Sequence, residues 1–142
     1  MIPLILATQL KEAGLPWLPD LNDFFAIPDS DLDDRIFVMS DMFTAPVTLQ
    51  GWPAIIFHGT SEWALDYIFM NEVVWMPTEE QLRQELIFLL DRVEEKTKLR
   101  LELGENGRYA TTISYKNKPH TFTAPTAGET YALALLHILQ NR

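Results

Sequence analysis

A polar segment between an apolar run and an amphipathic run holds the residue types nearest to a chemical site. The apolar run 54–57 leads into His-Gly-Thr-Ser-Glu at 58–62, and an amphipathic stretch follows. This order predicts a strand that ends at a polar turn, with Thr60 capping a helix over residues 61–70. The same pattern also fits a strand–helix corner that binds nothing. The candidate ligand-binding residues are His58, Gly59, Thr60, Ser61, Trp63 and Tyr67.

Residues 59–63 resemble the Gly-x-Ser-x-Gly elbow of serine hydrolases, but the match is incomplete. The elbow needs a second glycine where Trp63 stands, because its strained turn packs closely against the strand. A triad also needs a histidine beside a carboxylate. His120 is expected in a turn and His137 on an apolar helix, so neither histidine supplies that pair. The sequence therefore argues against a serine hydrolase.

Residues 57–61 are also similar to the His-Gly-Thr segment of ADP-ribosyltransferases. The resemblance implies that His58 would hold the ribose of NAD and that the backbone near Gly59 would bind the nicotinamide amide. Those enzymes further need a stacking aromatic residue and a glutamate that stabilises an oxocarbenium-like transition state. Tyrosines and Glu129 follow in the chain, but Glu129 is expected in a helix cap. No basic cradle for a pyrophosphate is visible, which counts against NAD chemistry. NAD-like binding or catalysis is therefore the alternative hypothesis and not the main one.

An acidic run opens like a calcium-binding loop, because Asp29, Asp31 and Asp33 alternate along it. Such a loop needs glycine at its sixth position and a bidentate glutamate at its twelfth. Those positions hold Asp34 and Ser40. We therefore expect a solvated acidic turn, with the three alternating aspartates as a surface candidate for a metal, and no cofactor or metal otherwise.

The four tryptophans are a second possible source of function. Trp63 and Tyr67 are four residues apart, so they would share a face of the expected helix. Trp52 and Trp75 stand close to prolines at the ends of expected elements. Such aromatic residues either line a groove, where they dominate binding energy, or fill the core with the N–H at its rim. The second arrangement is the commoner one.

Composition excludes several classes of function. The 142 residues, 47% of them hydrophobic, fit one domain over 1–142. The chain has no cysteine, which excludes disulfides and thiolate chemistry and favours a reducing cytoplasm. The formal net charge of −9 opposes binding to nucleic acid or to an anionic membrane. Aspartates crowd residues 20–41 and basic residues predominate over 96–118, a polarity that fits a protein partner or a homodimer.

Capping and turn signals predict an α+β fold. We expect a largely antiparallel sheet of about five or six short strands with three or four helices, similar to an α/β/α sandwich. Thr78 opens a capping box and an apolar period, and a last capped helix over 131–139 is apolar almost all round. A first helix is expected over 3–13, and a C-terminal meander over 99–103, 109–115 and 121–123. Other strands are expected at 24–27, 35–39, 47–50, 54–57 and 73–76.

Five segments are spread over nearly the whole chain: 10–14, 33–42, 59–66, 75–82 and 131–136. Together they resemble a family of small bacterial proteins of unassigned function, whose members often carry the label "pilus assembly protein". The pilus-localisation ATPases behind that label need a phosphate-binding glycine loop, which this sequence lacks. The resemblance implies no catalytic residues.

These patterns together favour a non-catalytic interaction or accessory module of a bacterial cytoplasm, present as a homodimer or bound to another protein. The alternative is a small-molecule-binding protein that uses the corner at His58.

Overall fold

The structure is a computed structural model that describes residues 1–28, 35–40, 44–57 and 67–142, with only the backbone described at Thr44. The described part is α+β, with three helices and nine strands in three antiparallel sheets. The predicted fold class is therefore confirmed, although the described part has nine strands instead of the expected five or six and divides them among three small sheets.

The helices are α1 (Leu4–Glu12), α2 (Glu79–Val93) and α3 (Ala127–Gln140), and a single 3₁₀ turn spans Met70–Glu72. The strands are β1 (Phe24–Ala26), β2 (Ile36–Val38), β3 (Thr44–Leu49), β4 (Trp52–Phe57), β5 (Tyr67–Phe69), β6 (Val74–Trp75), β7 (Leu99–Leu103), β8 (Tyr109–Tyr115) and β9 (Lys118–Ala124).

The chain divides into two compact units, which we describe separately. The first unit consists of Met1–Leu15 and Pro77–Arg142, and the second of Pro16–Met76. The prediction that residues 1–142 form one domain stays a prediction.

Helix α3 is the centre of the first unit. It packs on β8 and β9 of the sheet β7-β8-β9 and also contacts α1 and α2. This position explains why its sequence is apolar almost all round, since it has neighbours on several sides. A buried hydroxyl pair joins the helix to the sheet, with Thr111 Oγ1 2.7 Å from Thr130 Oγ1. The predicted meander followed by a buried helix is confirmed.

The ends of α2 and α3 show where the capping predictions hold. At α2, the Thr78 hydroxyl oxygen accepts from the Gln81 N–H, and the Gln81 side-chain oxygen accepts from the Thr78 N–H, so the capping box is confirmed. At α3, Thr126 accepts from the Glu129 N–H, but the Glu129 carboxylate accepts from the Thr126 hydroxyl instead of the backbone. The buried residues of α2 are Leu82, Leu86 and Leu90, and the apolar Val93 in its last turn is exposed.

The second unit contains two three-stranded sheets, β2-β1-β6 and β3-β4-β5. Its core contains a row of aromatic rings in which each ring contacts the next. Trp75 stacks on Trp17, Trp17 lies against Phe25, and Phe25 lies against Phe37. Trp17 Nε1 donates to Asp23 Oδ2 at 2.8 Å. Trp17 and Trp75 are therefore packed as fillers, as the commoner interpretation of the tryptophans predicted. The N–H of Trp75 is not at the rim, however, because it is buried without a hydrogen-bond partner among the described residues.

The hairpin between β3 and β4 is tighter than predicted. Gln50 and Gly51 both have positive φ, 52° and 83°, which is typical of a two-residue turn between antiparallel strands. The expected strands 47–50 and 54–57 leave Trp52 and Pro53 between them, but Trp52 begins β4 and pairs with Leu49. The side chain of Trp52 is therefore held by a strand.

The prediction of a helix over residues 61–70 is wrong in the part of that range that the structure describes. Its first part, 61–66, lies outside the described residues, but 67–69 form strand β5, paired with β4. The reason is local: Tyr67, Ile68 and Phe69 are aromatic and β-branched residues, which fit a pleated surface next to an apolar strand. Tyr67 therefore does not share a helix face with Trp63.

Candidate functional site

The sequence-predicted corner falls largely outside the described residues. His58, Gly59, Thr60, Ser61 and Trp63 lie in the range 58–66, which the structure does not describe. The aspartates Asp29, Asp31 and Asp33 also lie outside the described ranges. The hypotheses of ligand binding at the corner and of metal binding at the acidic turn stay predictions.

Tyr67 is the one predicted site residue within the described ranges. It begins β5, its side chain is partly open to solvent, and its ring makes an edge contact with Phe69, with centroids 5.5 Å apart. The two aromatic residues alternate with Ile68, which is buried in the core. Tyr67 and Phe69 therefore lie on the face of the sheet opposite to the core cluster.

This second face of the sheet β3-β4-β5 is apolar throughout. The ladder pairs Leu49 with Trp52, Ala54 with Phe69, and Ile56 with Tyr67, so these residues share one face. An antiparallel sheet with one solvated face normally alternates apolar with polar residues. On β4 both faces are apolar, because Ile55 and Phe57 belong to the core cluster on the other side. The residues on the second face are Ala45, Val47, Leu49, Trp52, Ala54, Ile56, Tyr67 and Phe69.

A cleft of about 530 Å³ lies at the hairpin end of this sheet. Trp52 and Pro53 at the start of β4 meet Phe69 and Met70 at the end of β5, and the amides of Gln50 and Asn71 complete the lining. Its lining residues carry no charge, and a thioether beside aromatic rings gives an adaptable apolar surface. This volume is within the usual range for a pocket that receives a ligand or a few side chains.

Trp52 is the exception among the described tryptophans, since 67% of its surface is exposed. Trp17 and Trp75 are packed against each other, with nearly parallel rings. An indole held on a regular strand, with most of its surface in water, is the kind of anchor found at protein interfaces. The groove interpretation of the tryptophans therefore applies to Trp52.

Sequence reasoning recognised Trp52 as a possible groove residue but missed its neighbours Phe69 and Met70. They were placed at the end of a helix, where they would not face β4. The signal that could have identified them is the alternation of aromatic residues about Ile68, which matches a strand period better than a helical one.

The described histidines form a second cluster, in the first unit. His120 on β9 and His137 on α3 have ring centroids 4.6 Å apart, and Tyr115 and Phe122 surround His137. Burial first, then the nearby His120 and Lys116, lower the pKa of His137 below its ordinary value. No carboxylate joins these rings in the described ranges, where no group of three or more His, Cys, Asp or Glu side chains could hold a metal.

Glu85 on α2 is shifted in the opposite direction, because partial burial raises the pKa of its carboxyl group. It lies on a helix that packs against α3, outside both the aromatic cleft and the histidine cluster. We assign it no role in a site.

Comparison with known proteins identifies no relative of this chain, since no protein-family model, no curated protein and no solved structure matches it. Within the described ranges, the helices are all too short or too polar to cross a membrane.

Proposed function

We propose that this protein is a non-catalytic interaction module that binds an uncharged, apolar segment of another protein in the cleft at Trp52. The observation that carries the proposal is the largely exposed indole of Trp52, held on β4 beside Phe69 and Met70. A reducing bacterial cytoplasm is the proposed compartment, because the chain has no cysteine and resembles a bacterial family.

The energetics favour a partner that covers the indole. Burying the open part of a tryptophan removes on the order of 100 Å² of apolar surface from water, which is worth about 2–3 kcal/mol. Residues of this type carry a large share of the binding energy when they lie near the centre of an interface. Tyr67 lies on the same face of the sheet as Trp52 and is 49% exposed, so it enlarges the surface that a partner could cover.

The chemistry of the lining selects the partner. Neither an anion nor a cation would find a counter-charge in a cleft lined by Trp52, Pro53, Phe69, Met70 and two amides. The side-chain amide of Gln50 can donate and accept hydrogen bonds, as a peptide backbone requires. The net charge of −9 also disfavours a nucleic-acid partner. An apolar peptide segment fits these conditions best.

Selection from a random peptide library displayed on phage tests this function. We expect the wild-type chain to enrich uncharged peptides with aliphatic or aromatic side chains. Trp52→Ser should weaken the binding of the selected peptides, measured by calorimetry with synthetic copies, by about tenfold or more. The matched control is Phe88→Ser, which removes an exposed aromatic side chain from α2 and should leave the affinity unchanged.

The proposal would be overturned by a selection that enriches no peptide, or by peptides that bind Trp52→Ser as tightly as the wild type. Thermal unfolding of both variants verifies that they remain folded. A rise in melting temperature with NAD that disappears in His58→Ala would instead support the small-molecule alternative and argue against a purely non-catalytic module.

A further inference from the structure

Strand β7 leaves one edge of the sheet in the first unit open. Within the described ranges β7 pairs only with β8. Its residues alternate between leucines, which face the same side as the buried Ile113 and Thr111, and the charged Arg100 and Glu102 on the other side. Leu101 and Leu103 are nevertheless 37% and 62% exposed, because α3 packs mainly on β8 and β9.

The hydrogen bonds at the two ends of β7 show which of its backbone groups point outward. Lys98 O accepts from Ser114 N at 3.4 Å, and Gly104 N donates to Arg108 O at 2.8 Å. Even-numbered residues of β7 therefore direct their N–H and C=O groups toward β8. The intervening residues Leu99, Leu101 and Leu103 direct theirs to the outer edge, where β8 does not reach them.

The other edge of the same sheet is protected in a way that β7 is not. In the β8–β9 ladder Tyr115 pairs with Lys118 and Ser114 with Pro119. Because backbone groups alternate in direction along a strand, the nitrogen of Pro119 points away from β8, toward the free edge. Proline has no N–H, so this edge lacks one hydrogen-bond donor that another strand could use. Strand β7 has no proline, so every outward residue of the strand retains a donor and an acceptor.

We propose that the open edge of β7 binds β7 of a second copy of this chain in antiparallel orientation, with Leu101 on the two-fold axis. Leu101 would then pair with its own copy, and Leu99 with Leu103 of the second molecule. Each outward backbone group of the three leucines would gain a partner. The two three-stranded sheets would join into one continuous sheet, and the exposed leucines of the two strands would form a shared apolar row.

Charge complementarity selects this register. With Leu101 on the axis, Arg100 of each copy lies opposite Glu102 of the other, at a non-hydrogen-bonded position where side chains approach most closely. A shift of the axis to Arg100 would oppose two arginines, and a shift to Glu102 two glutamates. Within one chain Arg100 Nη1 lies 3.4 Å from Glu102 Oε1, so the two charges stand side by side on the same face of β7, and in this register each would also face its opposite on the other copy.

The size of the contact predicts a reversible dimer. A pairing of five-residue strands covers less surface than a standard interface, and each copy carries a net charge of −9. The basic-rich segment 96–118, which contains β7, reduces the repulsion locally. We therefore expect association that depends on concentration in the micromolar range or above.

Sedimentation equilibrium of charge variants tests the register. Arg100→Glu places like charges opposite each other twice in the dimer, and we expect it to weaken association by about tenfold or more. The double variant Arg100→Glu with Glu102→Arg restores opposite charges in the same register, so its affinity should return to that of the wild type. A wild-type chain that stays monomeric, or a double variant as weak as Arg100→Glu, would overturn the proposal.

Amide hydrogen exchange of the wild type tests the pairing without any substitution. The amides of Arg100 and Glu102 point toward β8 and should be protected at every protein concentration. Those of Leu101 and Leu103 should become protected only as the concentration rises. Protection of these outward amides that does not change with concentration, or that never develops, would contradict the dimer. As a variant with its own control, Leu101→Pro should abolish dimerisation, whereas Thr123→Pro at an outward position of β9 should not.

Discussion

His137 illustrates how a single side chain couples stability to pH. Its ring is packed among Tyr115, His120 and Phe122, and the Lys116 ammonium group is nearby. Burial of the ring, followed by the positive charges of His120 and Lys116, disfavours its protonated form and lowers its pKa. The unfolded chain, in which histidine has its ordinary pKa of about 6.5, therefore binds this proton more readily.

The sign of the effect follows from this difference. The contribution of His137 to stability is complete above the ordinary histidine pKa and is lost as the pH falls toward the lowered value in the folded state. We predict that His137→Phe, which keeps an aromatic ring in the cluster, makes the free energy of unfolding less dependent on pH between about pH 7 and pH 5. Denaturant unfolding at several pH values measures this slope.

Lys116→Gln provides the control for the cause of the shift. It removes one of the charges that face His137, so the pKa of His137 measured by NMR should rise toward its ordinary value. A wild-type pKa at or above the ordinary value, or an unchanged slope in His137→Phe, would show that the cluster does not disfavour the proton.

At the scale of elements, one buried hydroxyl pair reports on how α3 is attached to its sheet. Thr130 Oγ1 donates to Ala127 O at 2.6 Å, so its single proton is used and it accepts from Thr111. Thr111 is therefore the donor, and Thr130 supplies its acceptor. The two threonines play different parts even though their side chains are identical.

This asymmetry predicts unequal costs of substitution. Thr130→Val leaves the buried Thr111 hydroxyl without its acceptor and should lower the free energy of unfolding by about 1–3 kcal/mol. Thr111→Val leaves Thr130 bonded to Ala127 and should cost about 0.5–1.5 kcal/mol. The double variant should cost less than the sum of the two, because it leaves no orphaned donor in the pair. Equal single costs that add in the double variant would contradict this assignment of donor and acceptor.

Elements with local signals could be predicted from the sequence, and elements that depend on distant partners could not. The capping box at Thr78 and the meander ending in α3 are determined by residues close together in the chain. Strand β5 is determined by pairing with β4, whereas the local pattern over 61–70 predicts a helix that would include residues 67–69. The division of the strands into three sheets is likewise a matter of long-range pairing, which periodicity does not encode.

The candidate site was only partly predictable for the same reason. Trp52 and Pro53 attract attention in the sequence because of their type, but their exposure depends on the register of β4 with β3 and β5. Phe69 and Met70 join them through that register alone. The residues chosen for their chemistry, around His58, were identified by local pattern and remain predictions.

At the scale of the whole molecule, we propose two binding surfaces, one in each unit. The cleft at Trp52 belongs to the second unit and is proposed to bind another protein. The open edge of β7 belongs to the first unit and is proposed to bind a second copy of the chain. Because the two surfaces use different residues, Trp52→Ser should leave self-association intact, and Arg100→Glu should leave peptide binding intact.

The most direct test of the proposed function is an NMR titration of the isotope-labelled chain with a peptide selected by the wild type. We expect the largest shift changes at the indole N–H of Trp52 and at the amides of Gln50, Phe69 and Asn71, which surround the cleft. Changes confined to residues 58–66 or to β7, with the Trp52 indole unaffected, would contradict it.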